Sequence, residues 1–79
     1  MYYVYILLSQ KDKSYYTGFT TDLKTRIAKH NHKDVTYTST KAPFKLARYC
    51  AFQDKEKAVS FEKYLKVGSG FAFARKRLV

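Results

Sequence analysis

The sequence predicts a small α+β domain in the order β-β-α-β-α-α, with helices packed on a small antiparallel sheet. Three observations carry that prediction. Two runs of aromatic and branched residues, Tyr2–Leu8 and Tyr15–Phe19, are joined by a short polar turn, as in a hairpin. A further run of this kind, Phe44–Phe52, stands apart from them. Two stretches with apolar residues at helical spacing follow the second and third runs, each behind a capping residue. A chain of 79 residues has room for one domain, residues 1–79, and its 46% hydrophobic and 18% aromatic content suffices for one core.

The elements read as follows. Tyr2–Leu8 is dense enough in apolar side chains to be buried on both faces, which makes it the central strand. Ser9–Ser14 is polar turn material, and Tyr15–Phe19 returns as its hairpin partner. Gly18 within that strand marks a bulge or a close backbone approach. Thr20, Thr21 and Asp22 offer caps for a helix from Leu23 to about His30, with Leu23, Ile27 and Ala28 as its narrow buried stripe. Residues 31–43 form a polar, Thr-rich loop. Strict alternation in Phe44–Phe52 places Leu46, Arg48 and Cys50 on one face and Lys45, Ala47, Tyr49 and Ala51 on the other. Asp54 caps a second helix, Lys55–Lys66, whose stripe is Ala58, Phe61 and Leu65. Gly68-Ser69-Gly70 ends that helix, and Phe71–Val79 is read as a last helix capped by Ser69, with Arg75, Lys76 and Arg77 exposed.

Charge narrows the function. Sixteen Lys and Arg against six Asp and Glu give +10, most of it in the second half of the chain. Such an excess repels itself in a small fold and attracts polyanions, nucleic acid first. One Cys excludes an internal disulfide framework, and with two His it excludes a four-ligand Cys/His zinc site. The longest apolar run is too short to span a bilayer, and no cationic segment precedes it as in a signal peptide. The expectation is a cytoplasmic protein with Cys50 reduced and no membrane partner.

Few residues are equipped for chemistry. Glu56 and Glu62 are the only glutamates, so a site for two divalent metals is hard to assemble, whereas one metal on one carboxylate with waters is feasible. Glu62 lies at the edge of its helix's buried stripe, and its plainer reading is a helix charge paired with Lys55, Lys63 or Lys66. Glu56 complements the helix dipole. Arg26 and His30 are four apart and share a helix face. Guanidinium suits a phosphate and imidazole suits proton transfer, although both also fit a solvated face. Tyr3 and Tyr5 share a strand face, with Tyr16 in the partner strand; a Tyr acts as a base only where cations lower its pKa.

These residues fall in an order that resembles the GIY-YIG nuclease superfamily. Tyr3-Val4-Tyr5 and Tyr16-Thr17-Gly18 resemble its paired signature, with ten residues between Tyr5 and Tyr16. Arg26, His30 and Glu62 fall where that family carries its Arg, its His or Tyr, and its metal-binding Glu. The likeness covers nearly the whole chain and is nearest to small stand-alone bacterial members, whose ends resemble Glu62-Lys63-Tyr64-Leu65-Lys66 and Gly68-Ser69-Gly70. Tyr3 replaces the first Gly of the signature, Thr17 stands where an aliphatic residue is common, Phe19 stands where some members place a Lys, and no Asn follows Asn31.

The resemblance implies a three-stranded antiparallel sheet flanked by helices and metal-dependent hydrolysis of DNA. It makes Glu62 the holder of one Mg²⁺ or Mn²⁺, and Arg26 the stabiliser of charge on the phosphate. Tyr5, or less readily Tyr16 or His30, takes the proton of the attacking water, and Tyr16 orients water or phosphate. Lys41, Lys45, Arg48, Arg75, Lys76 and Arg77 are the candidate contacts to DNA phosphates, which give affinity without sequence information. The expected function is a metal-dependent DNA endonuclease of little sequence specificity, acting in repair or recombination, alone or recruited by a protein partner. The alternative is a catalytically weak or inactive nucleic-acid-binding module on the same scaffold.

Overall fold

The computed structural model describes residues 1–32, 40–73 and 76–77. Its elements are β1 (Tyr2–Ser9), β2 (Tyr15–Thr20), α1 (Leu23–Asn31), β3 (Phe44–Phe52), α2 (Lys55–Lys66) and α3 (Gly68–Phe73). The three strands form one antiparallel sheet in the order β2-β1-β3, as an α+β reading requires. No helix among the described residues is long and apolar enough to cross a membrane.

Central β1 divides the core in two, because alternate side chains leave opposite faces of the sheet. Tyr5 and Leu7 pack with Ala42 and Phe44 beneath Leu23 and Ile27 of α1. Val4 and Ile6 pack with Ala58 and Leu65 of α2, flanked by Phe19, Phe52 and Phe61. Val4, Ile6, Leu7 and Leu65, nearly or wholly buried, each contribute about 1.5–3 kcal/mol by leaving water. The helices thus cover opposite faces, and β2 lies at the open edge between them.

Local chemistry fixes the ends of each element. In the β1–β2 turn, the buried Ser9 hydroxyl donates to the Lys41 carbonyl (2.7 Å) and accepts from the Lys11 amide (3.2 Å). Lys13 closes this turn with φ 63°, a left-handed conformation uncommon for a side chain of this type. Of the three capping candidates for α1, Asp22 is the one used: its carboxylate accepts from the Thr25 amide and hydroxyl at 3.1 and 2.9 Å. At the other end, Asn31 pairs with Phe44 like a strand neighbour. Its Oδ1 accepts from the Phe44 amide (2.6 Å) and its Nδ2 donates to the Phe44 carbonyl (3.3 Å), which ties α1 to the start of β3. Asp54 caps α2 through the Glu56 amide (2.9 Å).

Three expectations need correction. Ala28 is exposed, and the inward stripe of α1 is Leu23, Ile27 and His30, at i, i+4 and i+7. Strict alternation fails in β3, because Ile6 pairs with Arg48 while Leu7 pairs with Leu46. The extra residue, Ala47, is a β-bulge that sends Leu46 to the α1 side with Phe44 and leaves Arg48 on the other face. Finally, Gly68-Ser69-Gly70 does not end α2. The break is Val67, whose backbone is extended (φ −99°, ψ 165°), and the glycine segment opens α3, with Ser69 inside the helix. Gly70 is needed because a Cβ there would collide with the Tyr64 carbonyl. The expected helix through Val79 and the exposure of Arg75 lie outside the described residues, while Lys76 and Arg77 are exposed as expected.

Candidate active site at the β2 edge

Tyr5 leaves β1 on the α1 side, and the residue directly opposite it on β2 is Gly18. A Cβ on Gly18 would collide with the Tyr5 ring and hydroxyl. The phenol therefore lies over the β2 backbone, and its hydroxyl reaches the edge strand. This is the close approach that a glycine inside a strand signals.

Two residues of α1 meet that hydroxyl. Arg26 Nε donates to it at 3.4 Å, and it shares a 3.1 Å hydrogen bond with His30 Nε2. The His30 ring packs among Tyr5, Tyr16 and Phe44, with centroids 5.9, 5.2 and 5.8 Å away. The solvated-face alternative for this pair is thereby excluded: His30 is the buried residue of α1 and Arg26 is half-buried.

Burial sets the protonation states. It pushes the Tyr5 phenol above its ordinary 10.0, and the opposing pull of Arg26 is smaller. The Arg26 cation does not bring this tyrosine below its ordinary value, so its resting form keeps the proton. Burial, then the Arg26 charge, pushes His30 below 6.5, so the imidazole is neutral at pH 7. With Arg26 donating to the Tyr5 oxygen, the arrangement in which the Tyr5 O–H donates to Nε2 is the one that places the imidazole proton on Nδ1.

From the other face α2 brings Glu62 and Lys66. Lys66 Nζ lies 2.8 Å from Glu62 Oε2 and 5.9 Å from the centre of the Tyr16 ring. The Glu62 side chain is 20% exposed and that of Lys66 49%. The bond to Glu62 raises the Lys66 ammonium above 10.5, and the carboxylate is near enough to Tyr5 for its charge to push that phenol further up. Tyr5, Tyr16, Arg26, His30 and Glu62 thus converge from four elements. Sequence reasoning saw Lys66 only as one of three partners for Glu62. Its i,i+4 spacing was the available signal.

No group of three His, Cys, Asp or Glu side chains among the described residues could hold a metal unaided. The residues nevertheless fit a cation held through one carboxylate and otherwise by water and substrate oxygens, as Mg²⁺ is commonly held. The Lys66 ammonium resting on Glu62 shows that this carboxylate is placed to accept positive charge.

Three of the cations chosen for DNA, Lys41, Lys45 and Arg48, are not gathered here. Lys41 pairs with Asp12 (3.4 Å) and donates to Ser14 (3.3 Å), bracing the β1–β2 turn. Lys45 and Arg48 lie on β3, at the opposite edge of the sheet. The cations set against the site side chains are Arg26 and Lys66.

A hairpin edge crossed by a tyrosine, with Arg and His from one helix and Glu from the next, defines a GIY-YIG catalytic domain, and that family matches residues 1–72. The chain is 47% identical over 66 residues to a UPF0213 protein of Halalkalibacterium halodurans, covering 82% of this chain and 69% of that one. A UPF0213 protein of Lacticaseibacillus paracasei is 46% identical, over 82% of this chain and 73% of its own. The solution NMR structure of a UPF0213 protein from Bacillus halodurans superposes with a TM-score of 0.60 and 38% identity, covering 99% of this chain and 87% of that one. The chain belongs to the GIY-YIG family and, with these relatives, to its small UPF0213 members. That membership supports a nuclease-type function.

Proposed function

We propose that the protein is a metal-dependent DNA endonuclease that hydrolyses phosphodiester bonds with little sequence specificity, in DNA repair or recombination. The observation that carries this reading is the Tyr5 hydroxyl held between Arg26 Nε (3.4 Å) and His30 Nε2 (3.1 Å) beside a single carboxylate, Glu62.

Glu62 would hold Mg²⁺ or Mn²⁺, which supplies Lewis-acid stabilisation of the leaving oxygen. The remaining guanidinium N–H groups of Arg26 bind a non-bridging phosphate oxygen and stabilise charge that grows during attack. Tyr16 orients the water or the phosphate. Tyr5 works as a relay: its oxygen takes the proton of the attacking water while its own proton passes to His30 Nε2. The hydroxide forms the new P–O bond, and the electron pair of the broken bond goes to the leaving oxygen, which takes a proton from solvent. The imidazolium so formed is favoured by the bound phosphate's negative charge. A net charge of +10 supplies affinity for any DNA backbone, which fits weak sequence preference.

The complete burial of Tyr5 favours a second reading, a scaffold that binds nucleic acid without cutting it. One experiment separates the two. Labelled duplex, single-stranded, flapped and four-way-junction DNA are incubated with Mg²⁺, Mn²⁺ or EDTA and either wild type or Glu62→Ala. A metal-dependent product made only by wild type supports the enzyme, and retained binding with no product supports the scaffold.

A further inference from the structure

We propose that Lys66 is the resident counter-ion of the metal position: its ammonium holds Glu62 in the metal-free protein, leaves when a divalent cation takes the carboxylate, and then contacts the substrate phosphate. The inference rests on Glu62 as the metal-holding residue. At 2.8 Å from Oε2, the ammonium takes up room at the carboxylate that a divalent ion would need, and two cations on one small carboxylate repel strongly. Lys66 is free to yield, since it is the last residue of α2, its side chain is 49% exposed, and its stem is long. Its destination is close by. The ammonium already stands 5.9 Å over the Tyr16 ring, at cation–π distance, so release from Glu62 leaves it within the site rather than in bulk solvent. An incoming phosphate replaces the lost negative partner. Metal and DNA each favour the released lysine, so each raises the affinity of the other, by reciprocity.

The test uses calorimetric Mn²⁺ titration of wild type, Lys66→Met and Glu62→Gln without DNA. Removing the competing ammonium is expected to tighten Mn²⁺ about fivefold in Lys66→Met, while Glu62→Gln abolishes binding. Affinity for a fluorescent duplex is then measured in EDTA and in Ca²⁺. The Lys66→Met substitution weakens binding more in Ca²⁺, where wild-type Lys66 is released, than in EDTA. Equal or weaker Mn²⁺ affinity in Lys66→Met overturns the exchange while leaving Glu62 as a ligand. No Mn²⁺ binding by either wild type or Lys66→Met overturns the metal reading of Glu62, and the exchange with it.

Discussion

Gly18 and Tyr5 face each other across the β1–β2 ladder, and the Tyr5 phenol fills the space that a side chain on Gly18 would need. Everything α1 contributes to the site depends on that placement, because Arg26 and His30 both meet the hydroxyl at the far end of this ring. Gly18→Ala therefore displaces Tyr5. We expect a loss of about 1–3 kcal/mol of stability from overpacking, read from urea unfolding, together with loss of DNA cleavage.

Tyr5→Phe keeps the ring and removes the proposed relay. His30 Nε2 and Arg26 Nε lose their shared partner, which costs about 1–3 kcal/mol where those groups stay dry. The rate of DNA cleavage falls by about a hundredfold or more, the scale of a lost general base. A cleavage assay on protein shown to be folded at the working temperature checks both. Unchanged cleavage removes Tyr5 from the proton path.

Stability depends on pH through His30. Burial depresses its folded-state pKa below 6.5, so between the two values the unfolded chain binds a proton that the native protein does not. The contribution is present in full above 6.5 and is lost as pH falls through the folded pKa. Urea midpoints at pH 7.5 and 5.5 should show a drop in wild type that is smaller in His30→Gln.

Asn31→Ala breaks both hydrogen bonds that tie the end of α1 to Phe44. Loss of about 1–2 kcal/mol is expected from the unpaired strand amide and carbonyl, visible as a lower Tm in calorimetry.

Lys13→Gly acts in the opposite direction. A left-handed φ of 63° strains a side chain with a Cβ, and glycine relieves it. The exposed turn should gain about 0.5 kcal/mol, net of the greater freedom that glycine has when unfolded, again read as a Tm shift.

Much of this architecture was legible in the chain. Tyr2–Leu8 read as a strand covered on both faces, and Asp54 with Ala58, Phe61 and Leu65 marked α2 from cap to last turn. The residues of the candidate site were singled out through the resemblance and not through spacing, since Arg26 and His30 alone read more readily as a solvated face. What escaped depended on contacts between distant segments. The Ala47 bulge follows from how Leu7 and Leu46 meet, the break at Val67 from how closely Gly70 approaches Tyr64, and the place of Lys66 from Tyr16 lying beside it.

The strand order leaves two outer edges, and an unguarded edge invites another chain to pair with it. On β2 the site occupies that margin. On β3 the margin carries exposed Lys45 and Arg48 and is broken by the bulge between them. Two copies approaching edge to edge would meet like charges and an irregular row of amides and carbonyls. Besides any role toward a polyanion, these two cations guard the free edge of a small, tyrosine-rich chain against adding strand to strand into fibres.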